Sequence, residues 1–124
     1  MKLNTVSIKI LAAAIVMAGF AAAPASAQKY DFLSPPNPDT NRLYRVNIKT
    51  GEMGACWYGR DKGIGFTDCR PIGEGAGPQV PGRYKLFATK FDSEKGVFRV
   101  NTLTGAMSLC WVRRGSLVCT AFNR

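Results

Sequence analysis

One stretch of the chain occurs twice, and the two copies keep a constant spacing. Residues 43–57 return as residues 97–111, an offset of 54, and the match extends backward so that Tyr30 aligns with Tyr84. A fixed period of about 50 residues indicates a repeat architecture, in which each copy forms one supersecondary unit. The residues identical in both copies are Arg45/Arg99, Val46/Val100, Asn47/Asn101, Thr50/Thr104, Gly51/Gly105, Met53/Met107, Cys56/Cys110 and Trp57/Trp111.

The pattern within each copy predicts strands and turns. Apolar and polar residues alternate with a period of two, and Gly51 and Gly105 supply the positive φ of a tight hairpin turn. The predicted strands are 30–33, 43–47, 52–58, 66–69, 84–89, 96–101, 106–112 and 117–122. We therefore expect an all-β chain of two tandem four-stranded antiparallel meanders, forming a small sandwich, a barrel or a two-blade propeller-like domain.

The first 27 residues have the features of a secretory signal peptide. Lys2 and Lys9 accompany an apolar run, and residues 25–27 read Ala-Ser-Ala, a small-residue cleavage site. The apolar run is too short and too rich in alanine to span a membrane well. The style of this segment predicts a bacterial periplasmic or secreted protein with no transmembrane segment after cleavage.

Cleavage would leave one mature β domain, residues 28–124. Its repeats span 28–69 and 82–124, and a linker rich in Gly and Pro, 70–81, joins them. The full chain has 17 Lys and Arg against 8 Asp and Glu, so removal of the two lysines before residue 27 leaves a net charge of +7. Such a balance favours solubility and also attracts anionic polymers and lipids.

Four cysteines in an exported chain predict two disulfides, because compartments outside the cytoplasm are oxidising. Three connectivities are open, and spacing alone does not choose between them. Hairpin geometry favours Cys56–Cys69 and Cys110–Cys119, because turns at 62–63 and 114–115 place each pair at non-hydrogen-bonded positions, where Cα atoms lie closest. The alternative, a four-cysteine zinc site, is disfavoured because the sequence has no Cys-x-x-Cys pair.

Strand pairing also predicts which side chains share a face. Val46 is expected opposite Met53, and Val100 opposite Met107, which places apolar side chains together on one face of each repeat. The predicted core face comprises Tyr44, Val46, Met53, Ala55, Trp57 and Phe66 in the first copy, and Phe98, Val100, Met107, Leu109, Trp111, Val118 and Phe122 in the second. The opposite face is predicted to carry the disulfides together with Arg45, Asn47, Arg99 and Asn101.

The repeat resembles the blade motif of bacterial quinoprotein-type β-propellers, in which an Asp-x-x-Thr-Gly hairpin precedes a strand bearing a Trp. The matching residues are Asn47, Thr50, Gly51 and Trp57, then Asn101, Thr104, Gly105 and Trp111. Asn replaces the family's Asp, each Trp lies two residues later, and the cysteines are additional. A propeller needs about four to eight blades, so the two sheets are expected to pack together, to close one small barrel or to complete a ring by oligomerisation. Quinone binding and dehydrogenase activity are not carried over.

We predict no catalytic residue, metal ligand or cofactor in the mature chain. It has no His, which removes the usual base for a Ser or Cys nucleophile. We expect a non-catalytic binding module for an unidentified periplasmic or extracellular protein, with homo-oligomerisation left open. The alternative is a basic, envelope-associated binder of an anionic polymer or lipid. The candidate binding residues are Arg45, Arg99, Arg113, Arg114 and Lys62, although each could simply cover apolar surface with its stem.

Overall fold

The computed structural model describes residues 28–121. The predicted signal peptide, 1–27, and Phe122 at the end of the last predicted strand lie outside the described residues. The strands are β1 (Tyr30–Leu33), β2 (Arg42–Asn47), β3 (Met53–Asp61), β4 (Ile64–Cys69), β5 (Tyr84–Phe87), β6 (Val97–Asn101), β7 (Met107–Arg113) and β8 (Ser116–Cys119).

The strands form two four-stranded sheets, and each sheet contains one copy of the repeat. β1 to β4 pair in chain order, as do β5 to β8, and every pairing is antiparallel. Within residues 28–121 there is no helix, and neither sheet closes into a barrel. The prediction of two tandem four-stranded meanders is confirmed, and the sheets stack in a sandwich-like arrangement.

The strand registers also follow the sequence prediction. Val46 pairs with Met53 across β2 and β3, and Val100 pairs with Met107 across β6 and β7. Because side chains alternate between the faces of a strand, these pairings fix which residues share a face in each sheet.

The repeated Asn and Gly residues build the turn between the second and third strand of each sheet. The Asn47 side chain accepts hydrogen bonds from the backbone N–H groups of Lys49 and Thr50, at 3.0 and 3.2 Å. Gly51 has a φ of 74° and Gly105 a φ of 76°, in the left-handed region that glycine adopts without a steric penalty. Local chemistry that is visible in the sequence therefore shapes both hairpins.

Both disulfides join the facing strands of one hairpin, as predicted. Cys56 bonds to Cys69 across β3 and β4, and Cys110 bonds to Cys119 across β7 and β8. Their surroundings differ, because Cys110 is fully buried whereas Cys69 is exposed. Among the described residues no cysteine is free.

The two repeats bury opposite faces, which contradicts the predicted symmetric core. We call the buried side of each sheet its inner face and the other side its outer face. The inner face of repeat 1 is the predicted one, formed by Tyr44, Val46, Met53 and Ala55. The inner face of repeat 2 is the one predicted to meet solvent, formed by Tyr84, Leu86, Val97, Arg99, Asn101, Ser108, Cys110 and Leu117.

The side chains predicted to form the second half of the core lie on the outer face of repeat 2. Met107 is 56% exposed, and Phe98, Val100 and Leu109 are half-buried. The prediction was wrong because β6 carries apolar residues on both faces, Val97 on one side and Phe98 on the other. Periodicity does not tell which apolar face is buried when both faces are apolar.

The two sheets stack in one direction, so that each repeat presents a different surface to the other. β5 lies against β1 and β2, and β8 contacts β3. Successive copies that are stacked in one direction bring the front of the first unit against the back of the second. This contact is heterologous, since each repeat uses a different surface.

The segment that joins the sheets contacts strands of both. The backbone N–H of Met53 donates to the Ala76 carbonyl at 3.0 Å, and that of Gly73 donates to the Met53 carbonyl at 2.8 Å. Ala76 is only 4% exposed. A Cβ on Gly75 would lie 1.8 Å from the Leu117 carbonyl oxygen, so only glycine fits where the segment passes β8.

Removal of the buried disulfide is expected to destabilise the fold more than removal of the exposed one. The sequence separations of 13 and 9 residues make the loop-closure contributions similar, about 2–3 kcal/mol each. Replacing Cys110 and Cys119 by Ala also leaves a cavity where the sheets meet, which adds to the loss. Urea unfolding of this variant and of the variant with Cys56 and Cys69 replaced by Ala measures the difference. Equal losses would contradict the packing of Cys110 between the sheets.

Candidate functional site

The sequence predicted that Arg99 would lie on a solvent-facing surface. In the structure it lies inside the contact between the two sheets. Its side chain is 3% exposed. Nη1 donates a hydrogen bond to the Gly51 carbonyl of the other repeat at 2.8 Å, and Nε donates to Ser108 Oγ at 3.2 Å. Burial lowers the pKa of the Arg99 guanidinium below its ordinary value, and the nearby Tyr84 opposes the shift. Arginine remains charged at neutral pH, so Arg99 joins the repeats as a cation.

Arg45 occupies the same place in the first repeat but lies on the outer face. Its side chain is half-buried, and its Nε is buried without a hydrogen-bond partner among residues 28–121. The two arginines face different residues on the neighbouring strand. Arg45 pairs with Gly54, whereas Arg99 pairs with Ser108. A Cβ on Gly54 would lie 2.9 Å from Arg45 Nε. Glycine therefore lets the arginine lie across β3 and supplies no hydroxyl to accept its hydrogen bond.

The other predicted binding residues lie at the hairpin tips. Lys62 and Arg114 each adopt positive φ, 49° and 50°, immediately before Gly63 and Gly115, which is the pattern of a two-residue primed turn. Arg113 precedes the second tip, and all three cationic side chains are exposed. The five predicted residues thus do not form one exposed site, because Arg99 is buried. The binding role of Arg45, Lys62, Arg113 and Arg114 stays a prediction.

Trp57 lies between two arginines instead of in the core that was predicted for it. The guanidinium carbon of Arg42 lies 5.7 Å from the ring centroid, and that of Arg70 lies 5.1 Å from it. Arg70 Nε also donates to the Gly115 carbonyl in the other repeat at 2.6 Å. Cation–π contacts of this kind stabilise a partly exposed ring by about 0.5–1 kcal/mol. Trp111 is likewise half-buried and Phe66 is 46% exposed.

A second link between the repeats runs through Tyr44. Its hydroxyl donates to the Lys95 carbonyl at 2.7 Å and accepts from Arg42 Nη1 at 3.2 Å. Burial raises the pKa of Tyr44 above its ordinary value, and the hydrogen bond from Arg42 opposes the shift. The hydroxyl therefore remains protonated and able to donate at neutral pH.

The outer faces of both sheets carry large apolar side chains. On repeat 1, Phe32 is 51% exposed and Leu43 is 44% exposed. On repeat 2, Phe87 is 47% exposed and Met107 is 56% exposed. Large apolar side chains that share one exposed face of a sheet are typical of a contact surface. The sequence did not identify the outer face of repeat 2, because its residues were assigned to the core.

A basic crevice of about 720 Å³ lies where the N-terminal end of repeat 1 meets the start of repeat 2. Lys29, Lys49 and Arg83 contribute its positive charge, and Ile48 and Leu103 contribute apolar surface. The side chains of Lys49 and Arg83 make no hydrogen bond or ion pair with any other described residue. The pairing of β1 with β2 brings Lys29 close to Lys49, and the second repeat adds Arg83. Sequence reasoning missed this group because the position of Arg83 depends on how the two sheets stack.

Within the part of the chain that the structure describes, no group of three or more His, Cys, Asp or Glu side chains could hold a metal ion. No described helix is long and apolar enough to cross a membrane.

Neither a protein-family model, nor a curated protein, nor a solved structure matches this chain. The surfaces of the chain itself are therefore the basis for a functional proposal.

Substitution by alanine is expected to separate the two equivalent arginines. Arg99→Ala leaves the Gly51 carbonyl without its donor inside the contact, and we expect a loss of about 2–4 kcal/mol in the free energy of unfolding. Arg45→Ala removes a side chain from the outer face, and we expect less than about 1 kcal/mol. Urea unfolding of both variants measures the difference. Similar values for the two would contradict the burial of Arg99 between the sheets.

Proposed function

We propose that this chain is an exported interaction module that binds a protein partner through the outer faces of its two sheets. The observation that carries the proposal is the asymmetric packing of the repeats. Each sheet buries only one face, and both remaining faces present large, exposed apolar side chains, represented by Phe32 on repeat 1 and Met107 on repeat 2. Apolar surface of this kind costs free energy in water and is typical of surfaces that a partner covers.

The construction of the domain suits a rigid binding surface. A disulfide ties the last two strands of each sheet, so the outer faces are held in shape before a partner arrives. A surface that is already ordered loses less conformational entropy on binding. Two disulfides in a chain of this size also support an oxidising, extracytoplasmic compartment, in agreement with the signal peptide that the sequence predicts.

A second candidate function is the binding of an anionic envelope polymer or lipid, and the basic crevice favours it. Lys29, Lys49 and Arg83 concentrate positive charge around one opening, and the exposed cations at the hairpin tips add to the field. Anionic polymers are attracted by such a field without a specific contact. Binding of this kind weakens as salt screens the charges.

A pull-down from envelope extract with the mature, oxidised chain separates the two functions. We expect a defined protein to remain bound after a high-salt wash, because apolar contacts do not depend on charge attraction. Met107→Ser on the outer face of repeat 2 should abolish its capture. Ile64→Ser is the matched control, because Ile64 is 73% exposed at the tip of the β3–β4 hairpin.

Binding that depends on charge alone would support the second candidate function, in which the basic crevice is the binding site. Capture of anionic lipid or glycan alone, released by salt and lost when Lys49 and Arg83 are both replaced by Gln, would contradict the protein-binding proposal. Capture that is equally reduced by Met107→Ser and Ile64→Ser would also contradict it, because the outer face would then have no special role.

A further inference from the structure

The contact between the two repeats is a template for a contact between two chains. Inside one chain, the inner face of repeat 1 packs against the inner face of repeat 2. Because the repeats have the same fold at a fixed offset, the outer face of repeat 2 is the structural equivalent of the inner face of repeat 1. Likewise, the outer face of repeat 1 is the equivalent of the inner face of repeat 2. The two exposed surfaces are thus copies of two surfaces that already fit each other.

We propose that a second copy of this chain docks head to tail, with the outer face of repeat 1 on one copy against the outer face of repeat 2 on the next. This inference rests on the proposed function, since it takes the outer faces to be contact surfaces and names the partner. Both surfaces in this contact are structural equivalents of surfaces that already pack together within one chain.

The outer face of repeat 2 reproduces the apolar character of its buried equivalent. The corresponding pairs are Tyr44 and Phe98, Val46 and Val100, Met53 and Met107, and Ala55 and Leu109. A shallow groove of about 580 Å³ runs along this surface and is lined by residues that include Phe98, Gly105, Met107 and Leu109. The groove is the place that a stacked sheet would fill.

The outer face of repeat 1 reproduces the surface that fills the equivalent place inside the chain. Tyr30, Phe32 and Leu43 stand where Tyr84, Leu86 and Val97 stand in repeat 2, and Arg45 stands where Arg99 does. Phe32 and Leu43 are about half exposed, whereas Leu86 and Val97 are buried. The side chains are therefore suited to burial and lack a covering sheet within the chain.

Arg45 is placed to make a hydrogen bond in the same arrangement. Its equivalent, Arg99, donates to the carbonyl of Gly51, and the Tyr84 ring lies so close to Gly51 that a Cβ there would be 2.9 Å from it. The equivalent glycine, Gly105, has open space within 4 Å of the Cβ position. In a head-to-tail contact the guanidinium of Arg45 would donate to the Gly105 carbonyl of the next copy.

A head-to-tail contact is heterologous, because each copy contributes a different surface. Its repetition generates a closed ring if the rotation between copies closes, and an open filament if it does not. Sedimentation of the wild-type chain distinguishes the two, since a ring gives one defined size and a filament gives a size that grows with concentration.

The contact between copies is expected to be weaker than the contact within a chain. Asp31 accepts a hydrogen bond from the Leu86 backbone N–H at 2.9 Å across the internal contact, and its equivalent, Lys85, carries no acceptor. The net charge of +7 on each mature chain also opposes association at low salt. Salt is therefore expected to strengthen self-association, the opposite of its effect on binding to an anionic polymer.

Analytical ultracentrifugation of the mature, oxidised chain tests the proposal, with three variants that each add one negative charge. Met107→Glu blocks the outer face of repeat 2, and Phe32→Glu blocks the outer face of repeat 1. Ile64→Glu is the control, since this exposed side chain lies on the hairpin tip. We expect the first two variants to raise the dissociation constant at least about tenfold and the control to leave it unchanged. Circular dichroism confirms that each variant is folded.

Mixing the two blocked variants gives the sharpest readout. Each has one intact face, so a head-to-tail contact predicts that Met107→Glu and Phe32→Glu chains, monomeric alone, form a one-to-one dimer and nothing larger. A contact of one face with itself would leave one of the two variants associated on its own, and would overturn the proposal. A wild-type chain that stays monomeric at its highest soluble concentration in high salt would also overturn it. In that case, salt-resistant capture of a different envelope protein would leave the proposed function standing.

Discussion

Gly51 is the position on which the packing of the two repeats depends. It ends the Asn-containing turn of repeat 1 with a φ of 74°, and its carbonyl accepts the hydrogen bond from Arg99. The Tyr84 ring covers its Cα so closely that a side chain would collide with it. Three demands therefore meet at one residue: a left-handed backbone, an acceptor for a buried cation and the absence of a Cβ. The stacking of repeat 2 on repeat 1 follows from this fit.

A buried arginine at this contact selects which faces meet. Moving a charged guanidinium out of water costs free energy unless its donors are satisfied. Arg99 meets that requirement with Gly51 and Ser108, whereas a packing of the two predicted core faces would bury Met107 and leave the polar side exposed. We infer that hydrogen bonding, in addition to apolar area, decides the direction of stacking. The same choice leaves an apolar surface on the outside of each sheet, and the proposed function follows from it.

Local features were predictable from the sequence, and the relation between the repeats was not. Strand registers, the turns at Gly51 and Gly105 and both disulfides depend on alternation and spacing within one hairpin. The burial of Arg99 depends on contact with the other sheet. Because β6 carries apolar residues on both faces, its sequence did not indicate which face is buried. A usable signal was present at the neighbouring position, where Ser108 can accept from Arg99 but Gly54 cannot accept from Arg45. Arg83 joins Lys29 and Lys49 in the basic crevice only through the stacking of the sheets, so no local pattern indicated that the three cations are neighbours.

Nuclear Overhauser contacts in the oxidised protein, residues 28–124, test the asymmetric contact between the repeats most directly. We expect cross-peaks between the ring protons of Tyr84 and the α protons of Gly51, because these groups touch only when the inner faces of the two sheets meet. Cross-peaks from the Met107 methyl group to the methyl groups of Val46 or Met53, with none between Tyr84 and Gly51, would show a symmetric core. That result would contradict the stacking direction and the surfaces derived from it.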